Sequence, residues 1–254
     1  AVWKSAEKIA AAGTAKDCPK HGIFQNEICC SLELGHEREA AHEWMRGAYA
    51  AHQWLWRFLP APPGTPRSFL FRRRDVDGLP RFYLVSDGEP ASPSSHWSVL
   101  SKPYRPALEA GQWLQFELRA NPVVTTRSAG CPSARHDVVM QEKTRLLKER
   151  GLQQWADWTT PDRPPLADLV QRCGAAWLLA RGERLGVTFD AESLRADGYE
   201  QHRGKADKLR ISTIDFSGRL RVDDPHALRL ALFGGVGHAK AFGCGLLLIR
   251  SAVS

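Results

Sequence analysis

Apolar and polar positions alternate from Glu27 onward, with Ile28, Cys30, Leu32 and Leu34 set against Cys29, Ser31 and Glu33. A period of two sends successive side chains to opposite faces, so the stretch predicts a half-buried strand. The period then changes. Across residues 37–59, Ala41, Trp44, Ala48, Ala51, Leu55 and Leu59 recur at helical spacing on one stripe, until Pro60, Pro62 and Pro63 stop the helix. Two strand-like runs, SFLFRRR and RFYLVS, flank the turn-forming DVDGLP and read as a hairpin. The three arginines, 72–74, close a strand and suit an edge, where positive side chains deter further pairing. GEPASPSS reads as a loop with a short helix, and HWSVLSKPY as another strand. Strand, helix, hairpin, short helix and strand make a βαββαβ unit.

The order then repeats. Leu114, Phe116 and Leu118 alternate inward along residues 113–121, a basic polar stretch intervenes, and residues 166–181 form a helix carrying Leu169, Val170, Cys173, Trp177 and Leu178. KLRISTIDF and RLRV flank Ser217-Gly218, a dipeptide that signals a hairpin turn. Asp224 is placed to cap a helix with Pro225 at its first position, and a glycine-rich loop leads to a last apolar strand. The predicted fold is α+β, two tandem ferredoxin-like (βαββαβ, RRM-like) units. Residues 1–23 are a leader of undefined structure, 24–110 the N-terminal unit, and 111–254 the C-terminal unit with a basic insertion and the terminal glycine loop.

A chain of 254 residues with 43% apolar content can bury such cores, and a net charge of +7 favours polyanionic partners. The six cysteines are scattered, with Cys29 and Cys30 adjacent, so no disulfide framework is written here and a reducing cytoplasm is the expected compartment. Cys18 and His21 are spaced like two zinc ligands but no second pair answers them, so no metal and no cofactor are expected. No apolar run is long enough to span a bilayer, and no membrane partner is expected.

Candidate chemistry concentrates near the C-terminus, in GGVGHAKAFGCGLLLIR. Glycines at this density let backbone N–H groups converge on an anion, and equally let a tight turn feed a buried strand. Here the glycines follow a helix and precede a strand, the reverse of a mononucleotide loop. On the first long helix, Met45, Tyr49, His52 and Trp56 share a flank about 90° from the apolar stripe, a margin that can line a cleft or simply pack.

Taken in order, YAAHQWLWRFLP, SFLFRRR, the FELRANP strand, SARHDVV and GGVGHAKAFGCGLLLI resemble the CasE family, the CRISPR precursor-RNA endoribonucleases of the type I-E Cascade complex. The resemblance runs from Tyr49 to the C-terminus. Family members open on a Met followed almost at once by the first strand, whereas here more than twenty residues come first. The family implies a ribonuclease that needs no metal, cuts CRISPR repeat RNA beside its stem-loop by 2′-OH attack, and retains the crRNA with the other Cascade subunits, meeting target DNA only through the complex. It also implies catalytic roles for His52, in acid–base work, and Tyr49, orienting the 2′-OH or phosphate. Gly235, Gly237, His238 and Lys240 of the terminal loop become RNA contacts, Lys240 as a screen for phosphate charge.

Arg127, Arg135, Lys143, Arg145, Lys148 and Arg150 form the densest basic run and resemble the segment by which the family grips the repeat stem. The alternative for that run is a solvated face ion-paired to Glu142 and Glu149. His202, Arg203, Lys205, Lys208 and Arg210 make a second cluster. Two other functions compete. A tandem RRM-like binder without catalysis needs an aromatic signature on its central strands, which is absent here. A crRNA-binding assembly subunit that has lost cutting is opposed by the intact Tyr49 and His52.

Overall fold

A computed structural model describes residues 23–30, 48–76, 79–126, 134–203 and 210–252. The chain divides into two units: the first runs to Glu109 and takes in Arg229–Leu247, and the second comprises Ala110–Leu228 with Leu248–Ser254. The glycine loop therefore packs with the N-terminal unit, although its place in the sequence suggested the C-terminal one.

The first unit holds β1 (Phe24–Cys30), α1 (Ala48–Leu55), β2 (Phe69–Val76), β3 (Leu79–Ser86) and β4 (Trp97–Pro103). Its antiparallel sheet has the order β2-β3-β1-β4. β1 begins at Phe24, ahead of the alternation that revealed it, and Ile23 just before it is buried. The apolar stripe does what its spacing predicts: Ala51, Leu55 and Leu59, joined by Trp54 and Phe58, pack against Phe69 and Phe71 of β2, Phe82 and Leu84 of β3, and Trp97 of β4. Trp54 anchors this core, its ring 4.5 Å from that of Trp97 and 5.1 Å from that of Phe82. Large aromatic area of this kind dominates the burial energy of a small core. α1 ends in tightened bonds, Arg57 N to Trp54 O and Phe58 N to Leu55 O, before Pro60 can clash with the preceding turn. The short helix expected between β3 and β4 is not formed. Residues 87–96 are irregular, since Pro90 and Pro93 remove donors and the single Ser92 hydroxyl proton is shared between the carbonyls of Ser94 and Trp97 instead.

The second unit holds β5 (Trp113–Ala120), β6 (Val123–Thr126), β7 (Ala134–Asp137), α2 (Val138–Glu149), α3 (Leu166–Leu179), α4 (Gly182–Leu185), β8 (Val187–Phe189), β9 (Arg195–Arg203), β10 (Arg210–Val222) and β11 (Leu247–Ser251). α5 (Pro225–Gly234) spans the division between the units. The main sheet is ordered β11-β5-β10-β8, with β9 also paired to β10. β5 buries Leu114, Phe116 and Leu118 as its alternation requires. α3 lies close on this sheet at Gly174, where an added Cβ would come 3.0 Å from Ala196 Cβ and 3.2 Å from the Phe216 ring. Asp224 accepts from the N–H groups of His226 and Ala227 and caps α5 as predicted.

Ser217-Gly218 is not a turn. Both residues lie inside the continuous strand β10, where Gly218 pairs with Phe116. The hairpin joins β9 to β10 instead. Glycine at 218 serves a close approach: a Cβ there would meet Ser193 O at 3.1 Å and Leu194 Cα at 3.2 Å. The basic stretch after β5 is more ordered than its polarity suggested, forming the β6–β7 pair and α2, whose N-terminus is capped by Asp137 through Val139 N and Met140 N.

Candidate active site

The spacing that buries Ala51 and Leu55 leaves His52 on the margin of α1. Its ring is half-buried, stacked on Phe69 at 5.8 Å with 30° between planes and edge-on to Trp56 at 6.2 Å. Nε2 is buried and has no hydrogen-bond partner among the described residues. Burial, and then the charge of Arg67, pull its pKa below the ordinary 6.5, so the imidazole is neutral at neutral pH and free to accept a proton. Tyr49 lies one helical turn before His52 on the backbone of α1, a spacing that puts two residues on one side of a helix, and its ring lies outside the described side chains.

Arg67 was not singled out from sequence. It stands in the irregular segment before β2, two residues ahead of the Phe69 ring on which His52 stacks. Its Nε is buried without a partner among the described residues, and burial lowers its own pKa. No motif marks it; the neighbouring run 72–74 drew attention by its charge density. That run is otherwise engaged: Arg72 is buried, Arg73 pairs with Asp75, and Arg74 lies 5.9 Å from the Tyr83 ring centroid.

The terminal loop brings the third nitrogen group. Its short turn Lys240–Phe242 packs against α1 and β2. Lys240 Nζ donates to the carbonyl of Gly234, the last residue of α5, and its pKa is lowered by burial and then by Arg67. The glycines make this packing possible. Gly235 has φ of 76°, and a Cβ there would press within 2.8 Å of Leu70 Cδ2; a Cβ on Gly243 would sit 3.2 Å from the Phe71 ring. Gly237 also has positive φ, and His238 is exposed. His52 and Lys240 thus both feel the charge of Arg67.

The basic run does not form one stripe. Arg127 lies outside the described residues, and Arg135 is exposed on β7. On α2, Lys143 lies about 140–160° around an ideal wheel from Arg145 and Lys148. Arg145 is bound by Glu142 and Glu149, the alternative that the sequence left open, while Lys148 is exposed. Lys143 lies over the Trp155 ring at 5.0 Å. In the second cluster, His202 approaches Thr213 Oγ1 at 3.3 Å, and Lys205 and Lys208 lie outside the described residues. So do Cys18 and His21; among the described residues no group of three or more His, Cys, Asp or Glu could hold a metal ion, and no helix is long and apolar enough to cross a membrane.

An α+β protein that sets a neutral, half-buried imidazole in the field of a half-buried arginine, with a lysine on a turn packed against the same helix, has the equipment of an acid–base enzyme acting on an anion. A family model described as "CRISPR associated protein" matches residues 30–251. The chain is 32% identical to the CRISPR-associated endoribonuclease Cse3 of Thermus thermophilus, over 98% of this chain and 96% of the relative. It is 28% identical to the CRISPR system Cascade subunit CasE of Escherichia coli, over 82% of this chain and 94% of the relative. In fold it is similar to Thermus thermophilus Cse3 bound to an RNA representing a pre-cleavage complex, with a TM-score of 0.63, 22% identity, and 90% of this chain and 99% of that one covered. The chain belongs to the CasE family of CRISPR-associated proteins.

Proposed function

We propose that this chain is the type I-E endoribonuclease that cleaves CRISPR repeat RNA beside its stem-loop and keeps the crRNA as a subunit of a cytoplasmic Cascade complex, meeting target DNA through that complex. The observation that carries this reading is the imidazole of His52, its Nε2 unpartnered among the described residues and its titration governed by burial and Arg67, on a chain whose relatives are named an endoribonuclease and a Cascade subunit.

RNA brings its own nucleophile. The 2′-oxygen attacks the adjacent phosphorus, the bond to the 5′-oxygen breaks, and a 2′,3′-cyclic phosphate and a 5′-hydroxyl result. A base must take the 2′-proton, an acid must supply one to the leaving oxygen, and cations must offset charge on the non-bridging oxygens. His52, neutral at pH 7, is suited to take the proton and, once charged, to return one. Tyr49 orients the 2′-OH or phosphate through its hydroxyl, and Lys240 screens the phosphate. None of these steps requires a metal. Arg135, Lys143 and Lys148, with Arg127 and the loop residues Gly235, Gly237 and His238, supply the stem and backbone contacts; Arg145 contributes only by exchanging its glutamates for phosphate.

We read both units as ferredoxin-like. The order β2-β3-β1-β4, with α1 between β1 and β2, supports this for the first, as does β11-β5-β10-β8, with α3 after β5, for the second. The function is tested by incubating the full chain with its host repeat RNA in EDTA, beside a substrate with 2′-deoxyribose at the cut site. Cleavage of the first and none of the second is expected, with a 2′,3′-cyclic phosphate end. Cutting of the deoxy substrate would exclude 2′-OH attack.

A further inference from the structure

His52, Arg67 and Lys240 all belong to the first unit, where the Lys240–Phe242 turn packs against the helix of His52 and against β2, and among the described residues no carboxylate pairs with any of them. Arg67 is the common neighbour, its charge acting on both of the others. Its Nε–H, a strong donor, is buried with no acceptor among the described residues. Desolvating a cation beside a second cation costs free energy that an anion held between them removes. Arg67 precedes by two residues the Phe69 ring on which His52 stacks, and the Lys240–Phe242 turn packs against both α1 and β2. Lys240 already spends one of its donors on Gly234 O, which holds it near without satisfying Arg67.

We propose that Arg67 is a further catalytic residue, whose planar fork binds the non-bridging oxygens of the scissile phosphodiester next to His52, with Lys240 as the flanking cation. A guanidinium matches two oxygens of one phosphate bidentately, whereas the ammonium of Lys240 acts as a point charge. As the 2′-oxygen bonds to phosphorus and the 5′-oxygen departs, negative charge grows on those two oxygens, and a preorganised fork stabilises it without rearranging. Protons balance as before: the 2′-hydroxyl loses one and the 5′-oxygen gains one. This deepens the endoribonuclease reading and rests on it.

Arg67→Gln and Arg67→Lys test it in the full chain under single-turnover conditions with repeat RNA. The Gln variant is expected to cut about 10²–10³-fold more slowly, while binding of a 2′-deoxy repeat weakens by less than about tenfold, as for one phosphate contact among many. Replacing one non-bridging oxygen of the scissile phosphate by sulfur is expected to slow the wild type in one diastereomer, and both variants by much less. In a second arm, NMR titration of the His52 imidazole, inorganic phosphate raises its pKa in the wild type and not in Arg67→Gln. If the wild type cuts no RNA, the endoribonuclease reading falls, and the phosphate titration alone decides for or against an anion site at Arg67. If Arg67→Gln fails to fold by circular dichroism, Arg67→Lys decides, because it keeps the charge and loses the fork. Wild-type rate and an unchanged sulfur effect in the folded variant overturn the proposal.

Discussion

Two cationic regions of this molecule differ in what holds their charges. On α2 and its surroundings the arginines are matched: Arg145 to Glu142 and Glu149, Arg172 to Glu142, and Arg150 to Asp162 while lying 4.2 Å from the Trp158 ring centroid. Glu142 titrates below the usual carboxylate range because Arg145 bonds it. Around His52 the result is the opposite: burial first, and for His52 and Lys240 then the charge of Arg67, lower the pKa of all three groups. Matched charges stabilise the fold a little and have little left to offer a ligand. Unmatched, half-buried charges are held at a cost by surrounding packing, and that cost is returned when an anion arrives. The density of basic residues in the sequence pointed to the first region; the second holds the buried Nε2 of His52 and Nε of Arg67, both unsatisfied among the described residues.

The strongest way to break this contrast is His52→Ala, which should lower the cleavage rate constant by about 10³-fold while thermal melting stays near that of the wild type. Cleavage at the wild-type rate would move catalysis elsewhere. Next comes Gly235→Val. The branched side chain must adopt φ of 76° and displace Leu70, so urea denaturation should show a loss of about 2–4 kcal/mol together with weakened cutting; an unchanged midpoint would mean the loop does not need its glycine. The pH profile sharpens the comparison. Because His52 is held below its ordinary 6.5, its basic form survives mild acidification, and the acid limb of kcat/KM should fall below pH 6.5. A limb at or above 6.5 contradicts burial beside Arg67. The smallest effect belongs to α2. Lys148→Ala should weaken repeat RNA binding and reduce the salt slope by about one phosphate contact. Arg145→Ala should change the slope less, since glutamates already hold that guanidinium. Equal changes would erase the distinction between matched and open cations.

Much of the fold was readable where periodicity is local. The stripe of α1 and the alternation of β5 each report which face is buried, and Asp224 followed by Pro225 announces a helix start, because period and capping act within one or two turns of chain. The misreadings have the same origin. Ser217-Gly218 looks like a turn to its neighbours in sequence, but residues 193–194 approach from elsewhere and need the missing side chain there. GEPASPSS has a length that a short helix could fill, yet its prolines and serine hydroxyls leave no helical ladder. Of the site, His52 stood out for being at the margin of its stripe, and Lys240 for its glycines. Arg67 had neither mark.

The sequence alone determined the elements, the apolar faces and the family motifs, since these depend on spacing between near neighbours and on residue chemistry. Tertiary structure decided which charges meet. Residues 52, 67 and 240 become one group only because a positive-φ loop folds onto Leu70 and Phe71 of β2, and packing over that separation leaves no local period to read.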